Sequence, residues 1–258
     1  RSAWRFVVSA ASPLMRRIRA ITSPDADAEP NPHDSRATGV LRPIVFGAND
    51  GLVSNLALVM GVAGASAEPG VIVLAGIAGL LAGAFSMGVG EYISVQSQRE
   101  LLEYQVDFER RQLADTPDQE YDILVGIYMS RGLTHEEAKQ FADRMFAEPD
   151  RALETLVREE VGLDPRAIGS PVSAALGSFV AFTLGAFVPV VPYLLGSGLV
   201  AFWSSLIVSL VALFLLGLGV SLFTHRHPIR SGVRQLLLGL VAAVVTYGVG
   251  LLLGAAGI

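Results

Sequence analysis

The stretch "FGANDGLVSNLALVMGVAG", residues 46–64, sets an acid, Asp50, into a run that is otherwise almost wholly apolar. A carboxylate in such a run is costly if the run crosses a membrane, so its reading decides the fold. Apolar blocks of about 20 residues are the length of a bilayer-spanning helix, and the chain carries five of them, at 44–67, 71–96, 172–196, 199–223 and 233–256. Asn49, Asp50, Asn55 and Glu91 interrupt the first two, whereas the last three are free of charge except for Arg234. The expected fold is all-α, a five-helix integral membrane bundle with a helical insert between spans two and three.

The composition agrees, with 52% hydrophobic and 17% charged residues and a mean hydropathy of +0.50. The absence of cysteine excludes disulfides, thiolate ligands and iron–sulfur clusters. An isoelectric point near 5.4, with no basic patch interleaved with aromatics, argues against a nucleic-acid partner. No G-x-S-x-G, Walker loop, H-E-x-x-H or zinc spacing occurs, so the chain is not expected to be an enzyme. A membrane ferroxidase is disfavoured too, because the Glu-x-x-His pairs of di-iron bundles are missing.

Charge placement orients the spans. Arg16, Arg17, Arg19, Arg36 and Arg42 precede the first span, Arg99, Arg110 and Arg111 follow the second, and Arg226, Arg230 and Arg234 follow the fourth. The turns "GASAEPG" and "LLGSGLV" hold no basic residue. The positive-inside rule then places the N-terminus in the cytoplasm and the C-terminus on the far side. Four regions follow. Residues 1–38 form an N-terminal cytoplasmic segment, over 1–22 either an amphipathic helix on the inner leaflet or a flexible basic tail, and over 23–38 a polar, Pro-rich linker. Residues 39–96 hold spans one and two, 97–168 a cytoplasmic acidic domain, and 169–258 spans three to five.

The insert reads as punctuated helices. The second span has no break after Tyr92 and runs on into "QSQRELLEYQVDFERRQLA". Thr116, Pro117 and Gln119 match an N-cap, first-turn proline and capping box, and Thr134 with Glu137 matches a second box. Gly132 ends one helix, and Pro149 opens another that closes at "VGLDP". The insert carries 17 of the chain's 24 acidic residues. Such a segment is either a solvated face or a gathering surface for divalent cations, whose preferred ligands are carboxylates.

Within the spans, ionisable groups tend to face a bundle interior or a watery path. Asp50 shares a helix face with Ser54, and Met87 with Glu91. A thioether one turn from a carboxylate suits Fe²⁺ better than Mg²⁺, although from spacing alone ordinary packing, the role of most membrane methionines, is the better account. "AND" before "GLVSN" also allows Asp50 to cap a helix. Gly47, Gly51, Gly61 and Gly64 in the first span serve close packing, either within one subunit or along a dimer seam.

"DGLVSNLALVMGVAGA" and "SMGVGEYISVQSQRE", with the five-span layout, resemble the vacuolar iron transporter family over about residues 40–258. The resemblance implies a homodimer whose first helices line a path, exchanging cytosolic Fe²⁺, and also Mn²⁺ or Zn²⁺, for protons across a lipid membrane. It implies no resident cofactor: the metal is cargo. It puts the transport aspartate on Asp50 and the pathway methionine on Met87, with Glu91 in the same "GEY" motif. In the insert it puts metal-binding glutamates on Glu109, Glu120 and Glu160, with Glu103 or Glu159 as substitutes. Gln112 and Ile123 stand where relatives have further glutamates, and Leu156 where they have methionine. Asp50 then holds either Fe²⁺ or H⁺, and that competition supplies the exchange. The rival class is a non-transporting metal-sensing or scaffold subunit.

Overall fold

The computed structural model describes residues 32–66, 68–161, 169–224 and 227–256, without the side chains of 32–41, 160–161 and 222–224. The expected amphipathic segment 1–22 and the "VGLDP" helix end lie outside them. From Arg36 onward the described residues form one compact unit. Among the described residues the chain is helical throughout: α1 Pro32–Ala65, α2 Pro69–Asp115, α3 Pro117–Ser130, α4 His135–Phe146, α5 Pro149–Leu156 with a π turn at Val157–Val161, α6 Pro171–Phe187, α7 Val191–Leu195, α8 Gly198–Thr224 and α9 Pro228–Ala255.

Helix α1 starts earlier than expected. The linker reading fails over 32–38, where Pro32 opens a helix of 34 residues that continues through Pro43. Proline fits a first helical turn because its missing N–H has no partner there in any case. Helix α2 bears out the unbroken second span, since its 47 residues run from the membrane segment into the insert.

Four helices are long and apolar enough to cross a membrane: Arg42–Ala65 of α1, then α2, α8 and α9. The chain is an integral membrane protein. The stretch expected as one span at 172–196 is not one helix, because α6 stops at Phe187 and α7 restarts at Val191. The reason lies in "FVPVVPY", residues 187–193, which hydropathy alone does not register. The carbonyl of Ala186 would take its donor from residue 189 or 190. Pro189 has no N–H, and that of Val190 goes to Phe187 O (3.0 Å). Asn55 Nδ2 donates to Ala186 O instead (2.5 Å). One turn on, Pro192 likewise gives nothing to Pro189 O, and the Tyr193 N–H goes to Val190 O (3.0 Å). Ser205 Oγ of α8 donates to Pro189 O instead (2.6 Å). An unsatisfied carbonyl in hydrocarbon costs several kcal/mol, so both replacements are what makes the break tolerable.

Helix α1 is central. Leu52, Leu56, Val59 and Met60 form one buried cluster with Ile72 of α2, Val190, Tyr193 of α7, Ala201 and Leu213 of α8, and Ala243 of α9. Where α1 meets α6 and α9, backbone approaches backbone. A Cβ on Gly51 would strike the carbonyl of Phe182, and one on Gly185 that of Ala48. Higher up, a Cβ on Gly64 would strike the carbonyl of Tyr247, and one on Gly250 that of Gly61. Of the two roles open to the first-span glycines, these contacts assign Gly47, Gly51, Gly61 and Gly64 to packing within one chain.

The insert has its own core of Leu124, Val125, Ala138, Ala142 and Leu156, flanked by Leu113, Tyr121, Tyr128 and Phe146. Thr134 and Glu137 form the expected capping box, with Thr134 N–H donating to Glu137 Oε2 (2.9 Å) and Glu137 N–H to Thr134 Oγ1 (3.4 Å). The box expected at Thr116 is absent, although Pro117 does open α3. Thr116 also ends α2, and its hydroxyl donates back to Gln112 O (3.1 Å). Gly132 ends α3 as expected, with φ +101°, a conformation that glycine adopts without a Cβ clash.

Candidate functional site

One face of α1 is sealed and the other is open. Gly47, Ala48, Gly51, Leu52 and Asn55 face α6 and α2. About a quarter turn round the helix, Phe46, Asp50, Ser54 and Leu58 follow at four-residue spacing, which is one helical face, with Leu58 reaching Gly79 of α2 at its edge. Phe46 is 60% exposed, Leu58 38%, Ser54 is exposed and Asp50 is half-buried.

The helix is continuous from Pro32, so Asp50 sits mid-helix and caps nothing. Ser54 Oγ donates to the backbone carbonyl of Asp50 (2.5 Å), leaving the carboxylate itself unengaged by that hydroxyl. Among the described residues no donor or cation meets the Asp50 carboxylate. Beside it, Asn49 Oδ1 accepts from Gln235 Nε2 of α9 (2.7 Å). A carboxylate so placed can hold a proton or a cation.

Met87 and Glu91 lie one turn apart on α2, both half-buried. Met87 packs against the cluster formed by Leu80, Ala84, Phe182 and Ala186.

The insert sorts its carboxylates. Glu109 on α2 and Glu120 in the first turn of α3 are 5% and 3% exposed, and both are engaged in interactions. Their helices pack together, and the π turn packs on both. Glu159 on that turn is held as a structural anion: it pairs with Arg131 and accepts from Tyr128 O–H (3.2 Å). Burial, then the Glu159 charge and hydrogen bond, raise the Tyr128 pKa above the ordinary tyrosine value. Glu103 is exposed and lines a cleft of about 620 Å³ with Arg99, Asp107, Arg110 and Ser170. The Glu160 side chain lies outside the described residues. Of the departures, Leu156 is fully buried in the insert core, while Ile123 is 39% exposed. Among the described residues no three of His, Cys, Asp and Glu converge as a metal site.

The family comparison falls on this same span of chain: the model of the VIT family matches residues 41–251. The chain belongs to the VIT family. Among its relatives are vacuolar iron transporter 1 of Arabidopsis thaliana, 29% identical over 81% of this chain and 84% of that one, and vacuolar iron transporter 1 of Oryza sativa subsp. japonica, 30% identical over 81% and 83%. A vacuolar iron transporter of Toxoplasma gondii is 29% identical over 86% of this chain and 76% of its own. The match takes in both carboxylate-bearing spans, the insert and most of α9.

Sequence reading missed Asn55 as more than an interruption, and Tyr128 and Arg131 as the holders of Glu159. The two prolines of "FVPVVPY" were the available signal for the first, because a broken membrane helix needs donors from elsewhere. The second had no signal in sequence.

Proposed function

We propose that this VIT-family chain moves a divalent metal, Fe²⁺ and also Mn²⁺, out of the cytosol in exchange for protons. The observation that carries the reading is Asp50, a half-buried carboxylate mid-helix in an apolar span, on the open face of α1 and without a donor among the described residues. A carboxylate facing lipid is costly, so this face belongs against protein or water. A second copy of α1 supplies both, which gives a homodimer with the two Asp50–Ser54 stripes lining a hydrated path. Met87 and Glu91 extend the path on α2, and the acidic insert gathers metal on the cytoplasmic side. The family membership and the names of the relatives support metal as the cargo. The fifth crossing is α6 with α7, which together cover an apolar run at 171–195. The placement of the arginines puts the insert in the cytoplasm.

The exchange follows from one site with two ligands. Metal enters from the near-neutral cytosol and displaces the Asp50 proton; protonation from an acidic far side expels it.

The test is Asp50→Asn in proteoliposomes with a pH gradient, which keeps size and removes charge and proton site together. Metal-driven proton movement should fall to background while folding persists, and Glu at this position should retain part of it. Wild-type flux from the Asn variant would end the antiport mechanism. A wild-type chain that moves no metal would leave a non-transporting metal-sensing or scaffold subunit. The assembly is checked separately: single cysteines at Ser54 or Leu58 should crosslink into dimers in membranes, and a monomeric mass in mild detergent would count against the shared path.

A further inference from the structure

The break in α6 and the turn that carries Asp50 are joined by one side chain. Asn55 is 1% exposed, and its Nδ2 donates to two carbonyls on different helices, Ala186 O of α6 (2.5 Å) and Gly76 O of α2 (3.2 Å). The first is the carbonyl that Pro189 leaves without a backbone donor. Its Oδ1 makes no hydrogen bond and lies over Gly79 of α2, where an added Cβ would stand 2.8 Å away. Around this amide, contact between α1 and α6 is backbone on backbone, Gly51 on Phe182 and Gly185 on Ala48, which bracket Asp50. Such packing is close but carries no polar register mark. The amide supplies the mark: it fixes where along α6, and how near α2, the Asp50 turn sits.

We propose that Asn55 is a positioning residue for Asp50, acting through the Ala186 carbonyl that the interrupted α6 leaves open. The inference rests on the transport reading and deepens it. Asn55 touches no metal; it holds α1 in the rotation that turns Asp50 and Ser54 to the open face. Ser205 forms the matching bond on the other side of the break, to Pro189 O, but from α8, and so bears on stability without bearing on Asp50.

The experiment is Fe²⁺ flux by the full chain in proteoliposomes, comparing Asn55→Ala, Gly79→Ala and Ser205→Ala. Gly79→Ala puts a Cβ against the end of the Leu58 side chain and 2.8 Å from Asn55 Oδ1, so it crowds the amide without removing it. Asn55→Ala and Gly79→Ala should raise the KM for metal roughly fivefold, the worth of one buried hydrogen bond, and shift the pH at half-maximal flux. Ser205→Ala should lower the melting temperature and leave KM and pH profile at wild type. A wild-type KM in either folded variant overturns the inference, and so does an equal KM rise in Ser205→Ala, which would report general loosening. If Asn55→Ala does not fold, Gly79→Ala decides. Absence of flux in the wild-type chain removes the transport reading, and this inference with it.

Discussion

In the membrane part of the molecule α1 meets α6 and α9 backbone to backbone, beside a side-chain core, whereas in the insert the helices meet through side chains. Gly51, Gly64, Gly185 and Gly250 each stand where a Cβ would collide with a neighbouring carbonyl. The insert instead packs Leu124, Val125 and Leu156 with Tyr121 and Phe146, trims its helix ends with a capping box, and pairs Arg131 with Glu159. The difference follows from the solvent. Water drives apolar side chains together, so an insert helix needs only an apolar stripe. Lipid offers no such drive, and close van der Waals approach takes its place.

Adding one methyl group on each side gives the largest expected contrast. Gly51→Ala puts a Cβ against the Phe182 carbonyl and should destabilise the membrane part by about 1–3 kcal/mol, read as a lower melting temperature in detergent. Gly126→Ala, mid-helix in α3 with open space around it, should stabilise by about 0.5–1 kcal/mol. Equal signs for the two would dissolve the contrast.

Removing the insert's carboxylates comes next. Glu109→Ala, Glu120→Ala and Glu160→Ala together should weaken divalent-metal binding by the full chain by roughly tenfold or more, as calorimetry reads it. Transport should slow but persist, because Asp50 is untouched. Unchanged binding would take these three residues out of the site.

The smallest effect is a pH dependence at Glu137. Its hydrogen bonds from Thr134 hold its carboxyl below the ordinary glutamate value of 4.5. A lowered folded value means that the cap stabilises α4 fully above the ordinary value and loses this as pH falls through the lowered one. Amide protection at the start of α4, taken relative to the intrinsic exchange rate at each pH, should therefore fall below about pH 4.5, and Glu137→Gln should flatten that response.

What was legible in the sequence divides along the same line. Thr134 and Glu137, Gly132 and Pro149 announced insert helix ends because in water these residues act locally, on backbone groups three or four positions away. Thr116 misled because one hydroxyl serves two helix ends, and it turned to Gln112. In the membrane part, hydropathy located the apolar runs but passed over the break at Pro189 and Pro192, since proline and valine differ in donors more than in polarity. The glycines announced close approach without naming the partner helix. At the candidate site, Asp50 stood out because a charge in an apolar run is rare. Glu159 and Glu160 are adjacent and alike in sequence, and only the fold reveals that Glu159 is taken by Arg131 and Tyr128.

The unbroken α2 has a consequence for how the two charged regions communicate. Glu91 and Glu109 stand on the same rod, 18 positions apart, and at 1.5 Å per residue that is about 27 Å. At physiological salt the field of an exposed charge decays over about 8 Å, and the exposed Asp115, farther along the same helix than Glu109, lies more than about three decay lengths from Glu91. The insert's exposed carboxylates at such distances are therefore screened from Glu91, whereas Glu109, only 5% exposed, is screened less. A change of charge on those exposed carboxylates reaches Glu91 mainly as mechanical motion of the helix or as a change in the local supply of ions.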